Sequence, residues 1–246
     1  MLMQVPKQEP SKQKLNPPLL LINFKTYPQA TGETAIKLAE IVEDVANEYP
    51  TLTFAVAPQF TDLWRVAQVV DKTWVFAQHI DPITPGAHTG HILPEAVKIA
   101  GARGTLINHS ERKVPIEVIE KAIARAREVG LTTVVCAGSP EESEKVAKFV
   151  PDFVAYEPPE LIGTGISVSR AKPEVLKVAV EKIISASGGK TIPLCGAGIV
   201  TGEDVYKALV LGAKGILVAS GVVKAKDPAK VLVDFAEASM KYLEEQ

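Results

Sequence analysis

Residues 105–136 read TLINHSERKVPIEVIEKAIARAREVGLTTVVC, and this stretch contains one complete strand–helix–strand unit. Apolar runs at 105–108 and 132–136 flank a segment that opens at Pro115, stops at Gly130 and repeats apolar residues with helical spacing. Both runs are continuously apolar, as expected of parallel strands that are buried on both faces of a sheet. The stretch therefore predicts two parallel strands joined by a helix.

The same alternation extends from Leu19 to the end of the chain. Apolar runs predict eight strands, at 19–24, 52–57, 74–77, 105–108, 132–136, 153–156, 192–195 and 215–219. Helical patterns follow at about 35–49, 59–70, 115–130, from 140, at 173–186, at 201–212 and from 227. Ser139 and Glu142 have the spacing of a capping box at one helix start.

Eight strand–helix units in about 250 residues are typical of an α/β fold in which the strands close into a parallel (β/α)8 barrel. The alternative fold is an open doubly wound sheet. Against it, the first strand is not followed by the G-x-G-x-x-G pattern of a dinucleotide site. No break in composition marks a second domain, so the sequence predicts a single barrel domain at 18–246.

Composition excludes several functional classes. A net charge of −2 over 246 residues excludes a globally basic nucleic-acid binder. No apolar run approaches the roughly 18 residues that a membrane helix needs. Cys136 and Cys195 are expected to be small buried thiols in apolar strands, which suits a reducing cytoplasm. Residues 1–17, rich in Pro, Lys and Gln, lack the features of a targeting signal and are expected to form a disordered tail.

In a parallel barrel, functional residues follow the carboxyl ends of the strands. The residues at these positions are mostly polar or small: Asn23-Phe24-Lys25, Gln78-His79, Asn108-His109-Ser110-Glu111-Arg112, Glu157-Pro158-Pro159, Gly196-Ala197-Gly198 and Ala219-Ser220-Gly221. Groups that can carry out chemistry therefore lie where the barrel would place an active site.

Three of these side chains could act on a substrate. Lys25 could anchor an anionic substrate or could cover the barrel rim. His109 lies beside Ser110 and Glu111, and the helix that begins soon after it favours a neutral imidazole that donates a hydrogen bond; a structural histidine is the alternative. Glu157 could serve as a general base or could be a solvated loop glutamate.

The segments after the last three strands are rich in small residues. Pro158 and Pro159 stiffen the start of one segment, whose glycines at 163 and 165 give freedom at its end, as in a closing lid or a merely turn-rich loop. With the turns at 196–198 and 220–221, these glycines would let backbone N–H groups approach a phosphate. His88 and His91 lack a third ligand nearby, so no metal site is expected there.

Taken in order, these motifs resemble those of the triosephosphate isomerase family, in its compact archaeal form. The resemblance extends from Leu19 to the C-terminus, and it rests on NFK (23–25), GAHTGHILP (86–94), HSER (109–112), YEP (156–158), IGTG (162–165), CGAG (195–198) and the loop after the eighth strand. It implies a TIM barrel that interconverts dihydroxyacetone phosphate and D-glyceraldehyde 3-phosphate through an enediolate, in glycolysis and gluconeogenesis.

The resemblance also implies a role for individual residues, and this family is itself the standard example of those roles. Glu157 matches the base, His109 the neutral imidazole that polarises the carbonyl, and Lys25 the cation that favours the anionic substrate. Asn23 matches the amide beside that lysine, and Glu111 the carboxylate that supports it. The implied substrate-binding residues are Asn23, Lys25, Ile162, Gly163, Gly165, Gly196, Ala197, Gly198, Ala219 and Ser220.

The resemblance also implies which cofactors, partners and cellular compartment to expect. Proton transfer beside a carbonyl needs a base, an electrophile and positive charge, so no metal or organic cofactor is expected. The expected partners are small phosphorylated trioses and further copies of the chain, as a homodimer or homotetramer joined through residues 86–94. No nucleic acid or membrane partner is expected, and the expected compartment is the cytoplasm.

The sequence departs from the common family pattern at three places. Asn108 precedes His109 where many members carry glycine, and Lys113 follows Arg112 where a second arginine is frequent. Ala219 and Ser220 stand where a glycine pair is common.

Two other functions would use the same barrel. A sugar-phosphate epimerase or a prenyl-glycerol phosphate synthase would share the phosphate turns, but it gives no reason for Lys25, His109 and Glu157 to occur together. A catalytically silent phosphate binder or assembly scaffold predicts that this set is broken. The set is intact in the sequence, which favours the isomerase.

Overall fold

The computed structural model describes Leu15 and residues 17–246, and the described residues form a closed barrel of eight parallel strands in chain order. The strands are β1 (Leu19–Asn23), β2 (Thr53–Ala57), β3 (Trp74–Ala77), β4 (Gly104–Ile107), β5 (Thr132–Ala137), β6 (Phe153–Tyr156), β7 (Ile192–Gly196) and β8 (Gly215–Val218). The barrel closes because β1 pairs with both β2 and β8, which rules out the open doubly wound sheet. The predicted α/β (β/α)8 fold is confirmed.

Helices follow the strands and surround the barrel. They are α1 (Glu33–Glu48), α2 (Phe60–Ala67), α3 (Pro94–Ile99), α4 (Ile116–Val129), α5 (Pro140–Ala147), α6 (Val168–Ala171), α7 (Pro173–Ser187), α8 (Gly202–Val210), α9 (Ser220–Val223) and α10 (Pro228–Glu244). Short 3-10 turns lie at Pro28–Ala30 and Pro159–Leu161. None of the described helices is long and apolar enough to cross a membrane.

The strand side chains alternate between two apolar layers. Leu19, Leu21 and Phe76 belong to the layer that fills the barrel interior. Leu20 and Ile22 belong to the layer between the strands and the helices. Because successive residues enter opposite layers, every residue of β1 is buried. This is why the strands appear in the sequence as continuous apolar runs.

The N-terminus of α5 corrects one detail of the prediction. Ser139 accepts a hydrogen bond from the Glu142 N–H at 3.1 Å, as expected of an N-cap. The Glu142 side chain does not complete the predicted capping box: its Oε2 accepts from the Gly138 N–H at 2.6 Å and its Oε1 from the Asn108 side chain at 2.9 Å. The carboxylate is therefore used between strands β4 and β5 instead of at its own helix end.

The other differences concern the length of one helix and three short helices that were not predicted. The second helix spans Phe60–Ala67, which is shorter than the predicted 59–70. Helices α3, α6 and α9 were not predicted, because helices of six, four and four residues are too short to display a helical period. Helices α4 and α7 end at left-handed residues, Gly130 and Gly188, as the glycines indicated.

Most of the expected tail at 1–17 lies outside the described residues. Leu15 and Pro17 are described, and Leu15 packs against the apolar cluster of the barrel interior, beside which Trp74 and Ile192 also lie. A contact of this chain segment with the barrel was not anticipated from its composition.

Gly104→Ala should destabilise the barrel. Gly104 is paired in register with Phe76, and a Cβ at position 104 would lie 2.3 Å from the Phe76 ring, which is fully buried. We expect a loss of about 1–3 kcal/mol in the free energy of unfolding, measured by urea denaturation. Phe76→Leu introduced into the Gly104→Ala variant should recover part of the loss, since the smaller side chain removes the clash. Equal, additive losses would show that the two residues do not compete for this space.

Candidate active site

The residues that follow the strands meet in a cleft at the carboxyl end of the barrel. The cleft is lined by Asn23, Lys25, Tyr27, His109, Glu157, Ile162, Gly163, Gly165, Ala197, Gly198, Ile199, Val200, Leu217, Val218, Ala219, Ser220 and Gly221. Of the residues implicated from the sequence, Glu111 and Gly196 do not line it; each instead contacts a residue that does. Tyr27, Ile199, Val200, Leu217 and Val218 were missed. Tyr27 carries no motif signal, Ile199 and Val200 follow the predicted turn at 196–198, and Leu217 and Val218 belong to the predicted eighth strand.

The end of β1 holds Lys25 in an unusual backbone conformation. Its φ is +48°, in the left-handed region. The Lys25 N–H donates to Asn23 Oδ1 at 3.0 Å, and its carbonyl accepts from Gln78 Nε2 at 2.9 Å. The Lys25 ammonium donates to Glu111 Oε1 at 2.7 Å. Asn23 and Gln78 thus fix the backbone while Glu111 orients the charge.

His109 follows β4 and is buried. Its Nδ1 accepts a hydrogen bond from the Glu111 N–H at 3.2 Å, so Nδ1 carries a lone pair and Nε2 carries the proton of the neutral imidazole. Nε2 lies 3.9 Å from Glu157 Oε2. This distance is too long for a direct hydrogen bond. The Nε2–H is therefore available to an atom that enters the cleft.

Glu157 follows β6 and is a buried carboxylate at 7% exposure. Its backbone N–H donates to the Ala137 carbonyl at 2.8 Å, which continues the strand pairing and fixes the residue. Among the described residues, Oε2 has no hydrogen-bond partner. Burial raises the pKa of Glu157 above its ordinary value, although His109, the Cys136 thiol and Lys25 oppose this shift. A desolvated carboxylate with one unpaired oxygen is suited to accept a proton.

Gly196 gives the base its space. A Cβ at position 196 would lie 2.2 Å from Glu157 Cγ and 2.8 Å from Glu157 Oε1. Real Cβ atoms do not approach other carbons this closely, so only glycine allows the carboxylate to occupy its place. The sequence predicted Gly196 as part of a substrate-binding turn; the structure places it against the Glu157 side chain.

Small residues from three loops also line the cleft, where their backbone N–H groups could serve as donors. Gly198 has φ +69°, and a Cβ there would lie 1.9 Å from the Ile166 carbonyl oxygen. Ser220 and Gly221 begin α9, where the first N–H groups have no partner inside the helix. Together with Gly165, these groups form a surface suited to an anion.

The segment after Glu157 contributes Ile162, Gly163 and Gly165 to the lining of the cleft. Pro159–Leu161 forms a 3-10 turn, and Gly163 and Gly165 have φ values of +75° and +73°. A Cβ at either glycine would meet nothing within 4 Å. Glu160 is joined to Lys172 by an ion pair, so the segment is tied to the start of α7.

The structure also locates the two cysteine thiols and the two histidines for which the sequence predicted no metal site. Cys136 in β5 and Cys195 in β7 are buried and free, which confirms the expected small buried thiols. His88 and His91 lie with ring centroids 5.8 Å apart in an exposed loop. Among the described residues, no three His, Cys, Asp or Glu side chains are grouped so as to hold a metal ion.

Residues 18–238 match the family model described as triosephosphate isomerase. A triosephosphate isomerase of Methanobacterium bryantii is 51% identical over 217 residues, covering 88% of this chain and 95% of the relative. That of Saccharolobus solfataricus is 46% identical over 227 residues, covering 92% and 98%. That of Methanocaldococcus jannaschii is 50% identical over 209 residues, covering 85% and 94%.

The family match covers the entire barrel, and the relatives are aligned over nearly their full lengths. The cleft places a carboxylate, an imidazole and an ammonium together on the strand ends of the same barrel. The chain belongs to the triosephosphate isomerase family.

Proposed function

We propose that the protein interconverts dihydroxyacetone phosphate and D-glyceraldehyde 3-phosphate through an enediolate, with Glu157, His109 and Lys25 as the residues that act on the substrate. One observation carries the proposal. The buried Glu157 carboxylate faces the Nε2–H of His109 across 3.9 Å, in a cleft that also contains the Lys25 side chain. A base and a hydrogen-bond donor on either side of a reacting carbon and its carbonyl are what this isomerisation requires.

The reaction would proceed by proton transfers at carbon and at oxygen. Glu157 takes a proton from the carbon next to the carbonyl, and the electron pair of that C–H bond forms the carbon–carbon double bond of the enediolate. His109 Nε2–H donates a hydrogen bond to the oxygen on which negative charge develops. The proton on Glu157 then returns to the neighbouring carbon. His109 gives its Nε2 proton to the oxygen of the former carbonyl and takes the hydroxyl proton from the other oxygen, which restores the neutral imidazole.

Lys25 contributes the positive charge of the site. Its ammonium stabilises both the phosphorylated substrate and the enediolate oxygen, since opposite charges attract strongly in a site that excludes water. Asn23 holds the Lys25 backbone, and the Glu111 carboxylate holds its ammonium at 2.7 Å. Glu111 thereby orients the Lys25 ammonium with its side chain. Its backbone N–H donates to His109 Nδ1 and so fixes the tautomer of the imidazole.

The phosphate would bind to the small-residue loops. Gly165, Gly198 and the first residues of α9 offer backbone N–H groups, and Ala219 and Ser220 line the same part of the cleft. Ile162, Gly163 and Ala197 complete the enclosure. Closure of the segment from Pro158 to Thr164 would exclude water, which protects an enediolate phosphate from losing its phosphate group.

A coupled assay on D-glyceraldehyde 3-phosphate tests the proposal, with D-ribulose 5-phosphate as the control substrate. Rapid conversion of the triose phosphate alone is the expected result. Conversion of the pentose phosphate would favour an epimerase on the same barrel. Tight binding of a phosphorylated analogue without any turnover would favour a phosphate binder.

The pH dependence of activity should show the raised pKa of Glu157. Burial is the cause that raises this pKa, and the base is active only when ionised. As the pH falls through the raised pKa, kcat/KM should therefore decline, at a pH above the ordinary glutamate value of about 4.3. Because the substrate phosphate also titrates, 13C NMR of glutamate-labelled free enzyme should measure the carboxyl directly, with Glu157→Gln for assignment. A carboxyl resonance that titrates at or below the ordinary value would contradict the assignment.

We also propose that the protein works in the cytoplasm and self-associates as a homodimer or homotetramer. Residues 84–91, which overlap the family contact segment, form eight consecutive exposed positions in the loop after β3. An exposed loop of this length is suited to insert into another copy of the chain. Light scattering of the purified protein at several concentrations tests this, and a monomer at all of them would contradict it.

A further inference from the structure

Two residues that depart from the common family pattern meet at a single carboxylate. Asn108 Nδ2 donates to Glu142 Oε1 at 2.9 Å, and Lys113 Nζ donates to the same oxygen at 2.7 Å. The other oxygen, Oε2, accepts from the Gly138 N–H at 2.6 Å. Glu142 therefore joins the end of β4 to the end of β5, although it does not line the cleft.

Asn108 uses its whole amide in this arrangement. It is almost fully buried at 1% exposure and directly precedes His109. Its Oδ1 accepts from the Val114 N–H at 3.1 Å, which closes the loop that carries His109. Its Nδ2 donates to the Cys136 carbonyl at 2.9 Å as well as to Glu142. The Asn108 side chain thus joins the two ends of the loop that carries His109 and also binds this loop to β5.

The backbone of Asn108 explains why this fastening bears on His109. Asn108 has φ +61°, a left-handed conformation that glycine adopts freely and asparagine tolerates better than most residues. The direction of the following peptide, and so of the His109 side chain, depends on this angle. Glycine would permit the angle but could not hold it by a side chain, whereas asparagine both adopts it and makes three hydrogen bonds.

Lys113 fits the same arrangement. Glu142 offers one oxygen to Gly138 and the other to Asn108 and Lys113. An ammonium binds one oxygen as a compact point charge, whereas a guanidinium prefers to bind both oxygens of a carboxylate. Burial alone would raise the pKa of Glu142, but these hydrogen bonds lower it below its ordinary value. The carboxylate is thus kept ionised as an acceptor for all three donors.

We propose that Asn108 is a positioning residue for the isomerisation, which sets the direction of the His109 imidazole, and that Glu142 and Lys113 hold Asn108 in place. This inference rests on the proposed function of His109 as the group that polarises the substrate carbonyl. The proposed phosphate-binding residues lie on other loops, so we expect a change at Asn108 to affect the chemical step more than substrate binding.

The test compares Asn108→Gly, Asn108→Asp and the double variant Asn108→Asp with Glu142→Gln. Asn108→Gly keeps the left-handed backbone but loses all three hydrogen bonds; Asn108→Asp places a carboxylate against Glu142. We expect kcat to fall by about 10- to 100-fold in each, with KM changed less than about threefold. In the double variant, the amide that replaces the Glu142 carboxylate can donate to the aspartate, and kcat should rise about tenfold above that of Asn108→Asp.

Two further measurements separate positioning from folding. Val150→Gly, at another left-handed position with φ +54° outside the cleft, should leave kcat unchanged. In 15N-histidine-labelled protein, the His109 resonances, assigned with His109→Gln, should shift in both single variants and return toward the wild-type position in the double variant.

Unchanged kcat with unchanged His109 resonances would overturn the inference. So would a loss of kcat that merely follows the unfolded fraction and is not recovered in the double variant. If the wild type itself lacks isomerase activity, the proposed function fails, and the His109 resonances alone then decide whether Asn108 positions the imidazole.

Discussion

Glu157→Gln is expected to lower kcat by about 10³- to 10⁴-fold while KM changes little. Glutamine has the size and shape of glutamate, so it fills the same space against Gly196 without steric cost. It cannot accept the substrate proton, because the amide is not basic. The steady-state rate of triose phosphate conversion measures the effect, and binding of a phosphorylated analogue measures whether the site is intact.

The stability of this variant gives an internal control. A carboxyl group whose pKa is raised by folding contributes stability that is present below its unfolded pKa and is lost as the pH rises through the folded pKa. Wild-type protein therefore carries a destabilising buried charge near neutral pH. Glu157→Gln should have a higher Tm than the wild type near pH 7, and the difference should vanish in acid. A lower Tm at pH 7 would show that the carboxylate is instead stabilised by its surroundings.

Glu157→Asp separates the charge of the base from its position. Aspartate keeps the carboxylate but withdraws it by one methylene group from the cleft, and a displacement of about 1 Å costs about 10²-fold in rate. An activity of this variant equal to the wild type would contradict the assignment of Glu157, since a general base must lie within reach of the proton.

Lys25→Met is expected to lower kcat by about 10²- to 10³-fold and to raise KM as well. Methionine retains an unbranched apolar chain of similar length but removes the ammonium, which in the wild type has 9% side-chain exposure and lies 2.7 Å from Glu111. Both the anionic substrate and the enediolate lose their positive partner, so kcat and KM change together. Glu111 is half exposed, and solvent can hydrate it after the lysine is removed.

Lys214→Met is the matched control for this substitution. Lys214 precedes β8, at the opposite end of the strand from Ala219 and Ser220, and its ammonium lies near the Tyr242 hydroxyl at 3.3 Å. Its removal should leave kcat and KM unchanged. Equal losses in the two variants would indicate that Lys25 acts only through the general charge of the protein, which salt would then screen.

The strands of the barrel were predictable because each is an apolar run buried on both faces, and their order followed from the helices between them. The glycines that end α4 and α7 were equally visible. Short elements such as α3 were not, since six residues contain too little periodicity. The predicted capping box at Ser139 was wrong because the Glu142 carboxylate accepts hydrogen bonds from other segments of the chain. Local sequence spacing does not reveal such contacts.

The residues of the cleft were predictable to the extent that their positions follow strands. Lys25, His109 and Glu157 were found this way, and they line the same cleft. The environment of each was not predictable. The left-handed backbone at Lys25 and Asn108, the Gln78 bond to the Lys25 carbonyl and the close packing of Gly196 on Glu157 depend on contacts between strands. Such contacts appear only when the barrel closes.

The central claim is that Glu157 removes a proton from one substrate carbon and returns it to the neighbouring carbon. Isomerisation in D₂O tests this claim most directly. D-Glyceraldehyde 3-phosphate should be converted in D₂O by the wild-type protein and the dihydroxyacetone phosphate product examined by NMR. We predict that part of the product carries one carbon-bound deuterium at the carbon that received the proton, because the proton on Glu157 can exchange with solvent before it returns. Product entirely free of deuterium would point to a direct hydride shift and would contradict the role of Glu157 as the base.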